Sequence, residues 1–277
     1  MKGEKWKKKR NFALVLKHDR NNMLKLSELQ LVSSHKALND IPEGKVLINT
    51  INAHSYNVAQ KDDIFAQALA GGDYLIPDGA SVVKACRWLK GKSQPEERIA
   101  GWDLFEFEMK RLQERSEKLK VKSEKCEEES EKLKVMFMGS SERVLQLIRE
   151  RAAKDYPLLE VVAYSPPYKP EFTADDNAAI ISAINAANPD LLWIGMTAPK
   201  QEKWTFQHWP QLNVHCHVGT IGAVFDFYAG TARRAPLWWQ RHSLEWLYRL
   251  LREPRRMWRR YVVGNPLFLW NVFSEKF

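Results

Sequence analysis

The sequence predicts an α/β fold: a mostly parallel sheet with helices on both faces and a helical appendage at the C-terminus. Three observations carry this. Short apolar, β-branched runs alternate with helical patterns between residues 45 and 218. The chain has 277 residues, 44% hydrophobic and 28% charged, which is enough to bury a sizeable core and too apolar for wholesale disorder. After residue 235 the composition changes to arginine interleaved with tryptophan and tyrosine.

The elements follow in order. Residues 24–60 open with a short amphipathic run, and Lys45-Val-Leu-Ile-Asn-Thr-Ile-Asn52 is an apolar strand ending in polar residues. One helix to about residue 70 is expected next, then a strand over 74–77, the turn Asp78-Gly79 and a helical pattern over 81–89. A further helix from Trp102 enters residues 114–134, which hold seven acidic and seven basic residues and repeat Ser-Glu-Lys-Leu-Lys-Val at 116–121 and 130–135. Such a stretch extends a solvated helix through i,i+4 pairs but builds no core, so it reads as a charged helical insertion or linker.

From Val135 the rhythm is strand, helix, strand. Strands are expected over 135–139, 159–164, 191–196 and 214–218, and helices from the Gly-Ser-Ser-Glu turn to about residue 153, over 178–187 and over 201–209. Strands alternating with helices give a Rossmann-like parallel sheet, whose ligands bind beyond the carboxyl ends of the strands. Gly139-Ser140, Gly195-Met196 and Gly219-Thr220 should therefore converge on one crevice, with the helix amides after Ser140 able to receive a phosphate.

The formal charge of +9 is unevenly spread: residues 1–10 carry +5 and residues 233–277 carry +7, so the body is slightly acidic. Two cationic ends imply attachment to an anionic surface, either a bilayer or a nucleic-acid backbone. The C-terminal end adds Trp238, Trp239, Trp246, Trp258 and Trp270, side chains that settle at a headgroup boundary. Residues 1–235 are thus read as a catalytic α/β domain and 236–277 as a basic, aromatic membrane-docking appendage. Cys86, Cys126 and Cys216 have no metal-ligand spacing and cannot all pair, which excludes a disulfide scaffold and a structural zinc module. Neither a secretory signal nor a membrane span is legible, so a cytoplasmic protein is expected.

Asp78 follows an apolar strand and Pro77, so its carboxylate should be at least half-buried. Thr50 and Asn52 end the preceding strand, Arg98 follows at the next strand-like return, and the four could share a pocket. A carboxylate near apolar walls can act as a general base toward a sugar hydroxyl. In Gly195-Met-Thr-Ala-Pro-Lys-Gln-Glu202, Pro199 suits a helix start, and Lys200, Gln201 and Glu202 would occupy the mouth of the crevice. His215 and His217 alternate on one expected strand without a carboxylate at ligand spacing. With no acidic DxD pair in the crevice-lining segments, no metal is indicated.

These residues resemble the WecG/TagA/CpsF glycosyltransferase family. The matching elements are Thr50-x-Asn52, Pro77-Asp78-Gly79 with Val82-Val83, Arg98-Ile-Ala-Gly101 with Asp103-Leu104, Gly195-x-x-x-Pro199-Lys-Gln-Glu202, Gly219-x-x-Gly222 with Phe225-Asp-Phe-x-Ala-Gly230, Arg234-Ala-Pro236, and Leu244-Glu-Trp-Leu-Tyr-Arg249. Ser81 stands where that family usually has glycine. The resemblance implies an inverting transferase of cell-surface polysaccharide assembly. It would take an N-acetylhexosamine of the N-acetylmannosamine type, or its uronate, from a UDP-sugar to a polyprenyl-diphosphate-linked N-acetylglucosamine, with no cofactor. By that likeness Asp78 is the general base, Thr50 and Asn52 position the sugars, and Arg98 and Gln201 hold donor phosphate or the reacting centre. The donor nucleotide falls to Gly139, Ser140, Gly195, Met196, Lys200, Glu202, Gly219, Gly222 and Asp226.

The acceptor would be lipid-bound, so the enzyme is expected to be peripheral at the inner face of the cytoplasmic membrane. Arg249, Arg252, Arg256 and Arg259 would form a basic stripe if Pro254 does not turn the chain, and with Arg234 would meet anionic lipid or diphosphate. The alternative, a nucleic-acid-binding protein using its basic aromatic ends, leaves the Asp78 and Pro199–Glu202 clusters unexplained. A sugar epimerase would ordinarily show GxGxxG at a strand–helix junction, and none occurs. Nothing in the sequence fixes whether the chain forms a homo-oligomer.

Overall fold

A computed structural model describes residues 24–126 and 132–277; the basic segment 1–10 and the middle of the charged repeat lie outside these. Six strands form one parallel sheet among the described residues: β1 (Val46–Ile51), β2 (Tyr74–Pro77), β3 (Leu133–Gly139), β4 (Leu159–Tyr164), β5 (Leu191–Gly195) and β6 (His217–Thr220), in the order β2-β1-β6-β5-β3-β4. Side-chain alternation sends Val135, Phe137 and Trp193 to one face, and Met136, Met138 and Ile194 to the other. The first face is covered by α4 (Gly101–Cys126), α5 (Glu142–Asp155) and α8 (Gly222–Tyr228), through Phe105, Leu145 and Phe225. The second is covered by α6 (Ala174–Ala187) and α7 (Lys200–His208) over the middle of the sheet. Over β1 and β2 it is covered by α1 (Ala53–Ala59), α2 (Asp63–Ala70) and α3 (Ala80–Leu89). Both faces are buried, so the central strands read as continuous apolar runs.

Several expectations are revised. The single helix before residue 70 is two, because Asp62 accepts from the Phe65 amide (3.0 Å) and starts a new one. The last strand begins at His217, so His215 precedes it and shares no strand face with it. His217 instead bonds Glu108 and the Pro42 carbonyl, each at 2.9 Å. The charged repeat divides: its first copy continues α4, whereas Leu133–Val135 of the second enters β3 with Leu133 and Val135 buried.

The C-terminal segment contains α9 (Leu237–Arg241), α10 (Glu245–Arg252), α11 (Pro254–Trp258), a π-turn over Arg259–Val263 and α12 (Gly264–Lys276). Glu253 leaves helical geometry (φ −133°, ψ 61°) and Pro254 starts a fresh helix, so the arginines do not form one continuous stripe. α12 packs on α1, with Phe268 edge-on to Tyr56 at 5.5 Å and Val272 in the same buried cluster. Glu275 accepts from the Leu26 amide (2.8 Å), the Ser27 amide (2.7 Å) and the Tyr56 hydroxyl (2.7 Å), so the last helix and the first described residues share one core.

Candidate active site

β1 and β2 pair in parallel with Ile51 opposite Pro77, so the residues just beyond their ends, Asn52 and Asp78, emerge side by side. The Asp78 amide donates to the carbonyls of Ile51 (2.9 Å) and Ile76 (3.0 Å), which extends the ladder and fixes the carboxylate at its end. Asn52 is the N-cap of α1: its Oδ1 accepts from the amides of His54 and Ser55 at 3.0 Å each, and the Ser55 hydroxyl accepts from the Asn52 amide at 2.7 Å. Its side-chain Nδ2 keeps both donors free among the described residues. Thr50, half-buried, lies opposite Ile76.

Arg98 is on a loop, not the strand-like return expected; a single bond from the Ile99 amide to the Pro77 carbonyl (3.1 Å) brings it back beside Asp78. Its guanidinium donates to Glu245, the first residue of α10. Glu245 also meets Arg234 (3.4 Å), and Arg234 meets Asp103 (3.6 Å), so alternating charges join the appendage to the body. Burial opposes the Arg98 charge, and the Glu245 carboxylate more than offsets this, holding its pKa above the ordinary value.

The Asp78 side chain is half-exposed by area but packed round by protein, and it makes no hydrogen bond among the described residues. Burial raises its pKa above the usual carboxylate range. Arg98 pulls it down, Glu245 pushes it up, and Arg260 and Asp103 add a smaller pull and push. Arg260, in the π-turn, is a candidate site residue that sequence reasoning missed. Its Nε is buried and has no partner among the described residues, and burial together with the charges of Arg249 and Arg256 lowers its pKa against the pull of Tyr261 and Asp78. Arg259 and Arg260 are adjacent arginines, and only the turn after α11 decides that the second faces Asp78. The other named arginines do less here. Arg249 stacks over Phe227 (5.7 Å), Arg252 over Tyr248 (5.5 Å), Arg256 pairs with Glu253 (2.7 Å), and Arg259 is exposed.

The expected crevice at the β3, β5 and β6 ends is made by backbone approach. Gly139 has φ +118°, and a Cβ there would lie 2.3 Å from the Gly195 carbonyl oxygen; Ser140 follows in the left-handed region (φ 62°). A Cβ on Gly222 would lie 2.0 Å from the Met196 carbonyl. Gln201 explains that closeness: its Oε1 accepts from the amides of Met196 and Gly222, both at 3.1 Å.

Gln201 and Glu202 therefore do not stand at the mouth of the crevice; they are buried, at 4% and 2% exposure, beneath its loops. Gln201 Nε2 donates to Glu202 Oε1 (2.8 Å), Oε2 has no partner among the described residues, and burial pushes the Glu202 carboxyl up to about 7. Lys200 lies over the Phe172 ring at 3.5 Å and donates to the Lys169 carbonyl. Gly219 backs onto the Trp193 ring, where a Cβ would meet it at 2.3 Å. Asp226 is exposed and accepts from the Thr231 hydroxyl (3.3 Å) in the turn after α8.

Among the described residues the site thus offers a carboxylate with vacant acceptor capacity, free side-chain amide donors on Asn52, and two guanidinium groups whose charges act on the carboxylate. That set can remove a proton from a hydroxyl and hold an anion beside it. The glycosyl transferase WecG/TagA/CpsF family model matches residues 22–277. A Bacillus spizizenii protein named N-acetylglucosaminyldiphosphoundecaprenol N-acetyl-beta-D-mannosaminyltransferase is 30% identical over 251 residues, covering 90% of this chain and 88% of its own. Proteins of the same name from Bacillus subtilis (28% over 230 residues; 83% and 80%) and Staphylococcus aureus strain MW2 (24% over 260 residues; 93% and 90%) are also similar. The match spans every strand and the C-terminal helices, and on that ground the chain belongs to the WecG/TagA/CpsF family of glycosyltransferases.

Proposed function

We propose that this glycosyltransferase moves an N-acetylmannosamine-type sugar from UDP to a polyprenyl-diphosphate-linked N-acetylglucosamine, with inversion and with Asp78 as general base. The names of the relatives support the sugar and the lipid acceptor. The observation that carries the mechanism is the Asp78 carboxylate at the β2 end, which has no hydrogen-bond partner among the described residues and feels the charges of Arg98 and Arg260.

In this reading Asp78 takes the proton of the acceptor hydroxyl as its oxygen forms a bond to the anomeric carbon. The bond from that carbon to the diphosphate oxygen breaks on the opposite face, and UDP leaves with the electron pair. Thr50 and the Asn52 amide orient the sugars, while Arg98 and Arg260 stabilise charge growing on the diphosphate. Arginine thereby supplies the positive charge that the leaving group needs. The Gly139-Ser140 turn before α5 receives the nucleotide through backbone amides, since Gln201 already holds the amides of Met196 and Gly222.

Among the described residues no helix is long and apolar enough to cross a membrane. We assign the meeting with the lipid acceptor to peripheral docking at the inner face of the cytoplasmic membrane. The exposed Trp238 and Trp258 and the outward Arg252, Arg255 and Arg259 of α9 to the π-turn reach anionic headgroups. A panel of UDP-sugars incubated with a lipid-diphosphate N-acetylglucosamine acceptor tests the assignment. Transfer from UDP-N-acetylmannosamine or its uronate, with inversion, is expected; turnover with neither overturns it.

A further inference from the structure

Glu245 is the first residue of α10, yet each of its carboxylate oxygens holds a different guanidinium. Oε2 accepts from Arg98 and Oε1 from Arg234 Nε (3.4 Å). The side chains of Arg98, Glu245 and Arg234 are only 22%, 21% and 20% exposed, so the solvent screening that makes surface pairs weak is largely absent. Arg234 is itself anchored: it meets Asp103 at 3.6 Å and lies over the Trp102 ring at 5.6 Å. Asp103 in turn accepts from the Ala100 amide at 2.8 Å and has His35 Nε2 at 3.4 Å. The fixed end of this chain of charges is therefore the start of α4, and the free end is Arg98.

Arg98 stands on a loop, and the bond to Glu245 is the one hydrogen bond its side chain makes among the described residues. A long side chain on a loop has many rotamers, and a partly buried carboxylate tied at its other oxygen selects one of them. The charges acting on Asp78 are Arg98 from that loop, Glu245 from α10, Arg260 from the π-turn and Asp103 from α4. Arg98 and Asp78 have opposite charges, so without a competitor the two would close into an ion pair of their own. Such a pair would occupy the acceptor oxygens of Asp78 and weaken it as a base. Glu245 is the competitor.

We propose that Glu245 is a positioning residue of the transfer reaction: it holds Arg98 beside Asp78 and keeps that guanidinium from closing onto the carboxylate, so that Asp78 stays free to take a proton. The proposal rests on the reading of Asp78 as general base.

Glu245→Gln keeps the shape and removes the charge. Two effects then act on Asp78 in one direction: the repulsion from Glu245 is gone, and Arg98 turns to Asp78. Both favour the ionised carboxylate, so its proton leaves at lower pH. The assay uses UDP-N-acetylmannosamine with a lipid-diphosphate N-acetylglucosamine acceptor. The acid limb of kcat/KM should move down by at least about half a pH unit, and kcat above the limb should fall about tenfold because the paired carboxylate is a weaker base. Glu245→Asp keeps the charge but draws it back by one methylene; it should leave the limb in place and lower kcat by about threefold or more. An unmoved limb in Glu245→Gln overturns the proposal, and so does lost activity accompanied only by a lower Tm, which is what a purely structural tie would give. If Glu245→Gln does not fold, Glu245→Asp decides, and kcat within about twofold of wild type at unchanged Tm overturns the proposal. Asp78→Asn, assayed beside them, separates the two readings. If it keeps kcat within about tenfold, the base reading falls and the proposal with it. If it is slow while the Glu245→Gln limb stays put, the base reading stands and the role given to Glu245 fails.

Discussion

Replacing Asp78 with Asn should move activity and stability in opposite directions. Asn keeps the shape and leaves the backbone bonds of residue 78 to Ile51 and Ile76 intact, and the aspartate side chain has no hydrogen bond to lose among the described residues. What changes is charge. A general base contributes about 10²–10⁴-fold, so kcat should fall by at least about a hundredfold, or about 3 kcal/mol on the barrier.

For stability, burial raises the folded pKa of Asp78 above its unfolded value of 3.8. The folded state therefore holds the proton more tightly. Stability from this group is complete below the unfolded value and is lost as pH rises through the folded one. At neutral pH each unit of that separation costs about 1.4 kcal/mol, and Asn removes the cost. Tm should rise by about 2–4 °C for each kcal/mol recovered. Radiolabelled sugar transfer and a thermal melt at neutral pH are the two assays. An Asp-Gly turn that was only structural would lose stability and activity together, so a lower Tm, or kcat within about tenfold of wild type, refutes the argument.

Other outcomes follow from the same contacts. Arg260→Met should raise KM for the UDP-sugar about 10–100-fold without lowering Tm, because a buried unpartnered nitrogen is removed, while Arg259→Met should change KM by less than about twofold; steady-state kinetics compare them. Glu202, raised from 4.5 to about 7, should lose its stabilising contribution as pH rises across that window, a slope of about 3 kcal/mol in all that Glu202→Gln flattens in melts taken across pH. Glu275→Ala leaves two amides and a tyrosine hydroxyl unpaired and should cost about 2–4 kcal/mol in urea unfolding.

Strand positions and the neighbourhood of Asp78 were legible because they depend on local pattern. An apolar run ending in Thr-Ile-Asn and another ending in Pro-Asp-Gly need only lie side by side for Asn52 and Asp78 to meet. The roles of Gln201 and Glu202 were not legible, since helical spacing says that they start α7 but not that the Met196 and Gly222 backbones close over them. The repeated hexapeptide makes the same point. Ser116–Val121 is helical with Leu119 exposed, whereas Leu133 and Val135 of the second copy are buried in β3, because only there do β4 and β5 offer edges to pair with. Arg260 was hidden for a third reason: Pro254 and the π-turn reset the helical phase, so no stripe drawn from Arg249 predicts which guanidinium turns inward.

The position of β1 bears on how a nascent chain acquires its shape. This first strand is flanked by β2 on one side and by β6 on the other, and the pocket around Tyr56 is filled by Phe268 and Glu275 near the last residue. While the ribosome still holds the C-terminal portion, one edge of β1 stays open and α1 lacks its cover. The β1 edge and the α1 surface are consequently completed together, after synthesis has reached the end of α12.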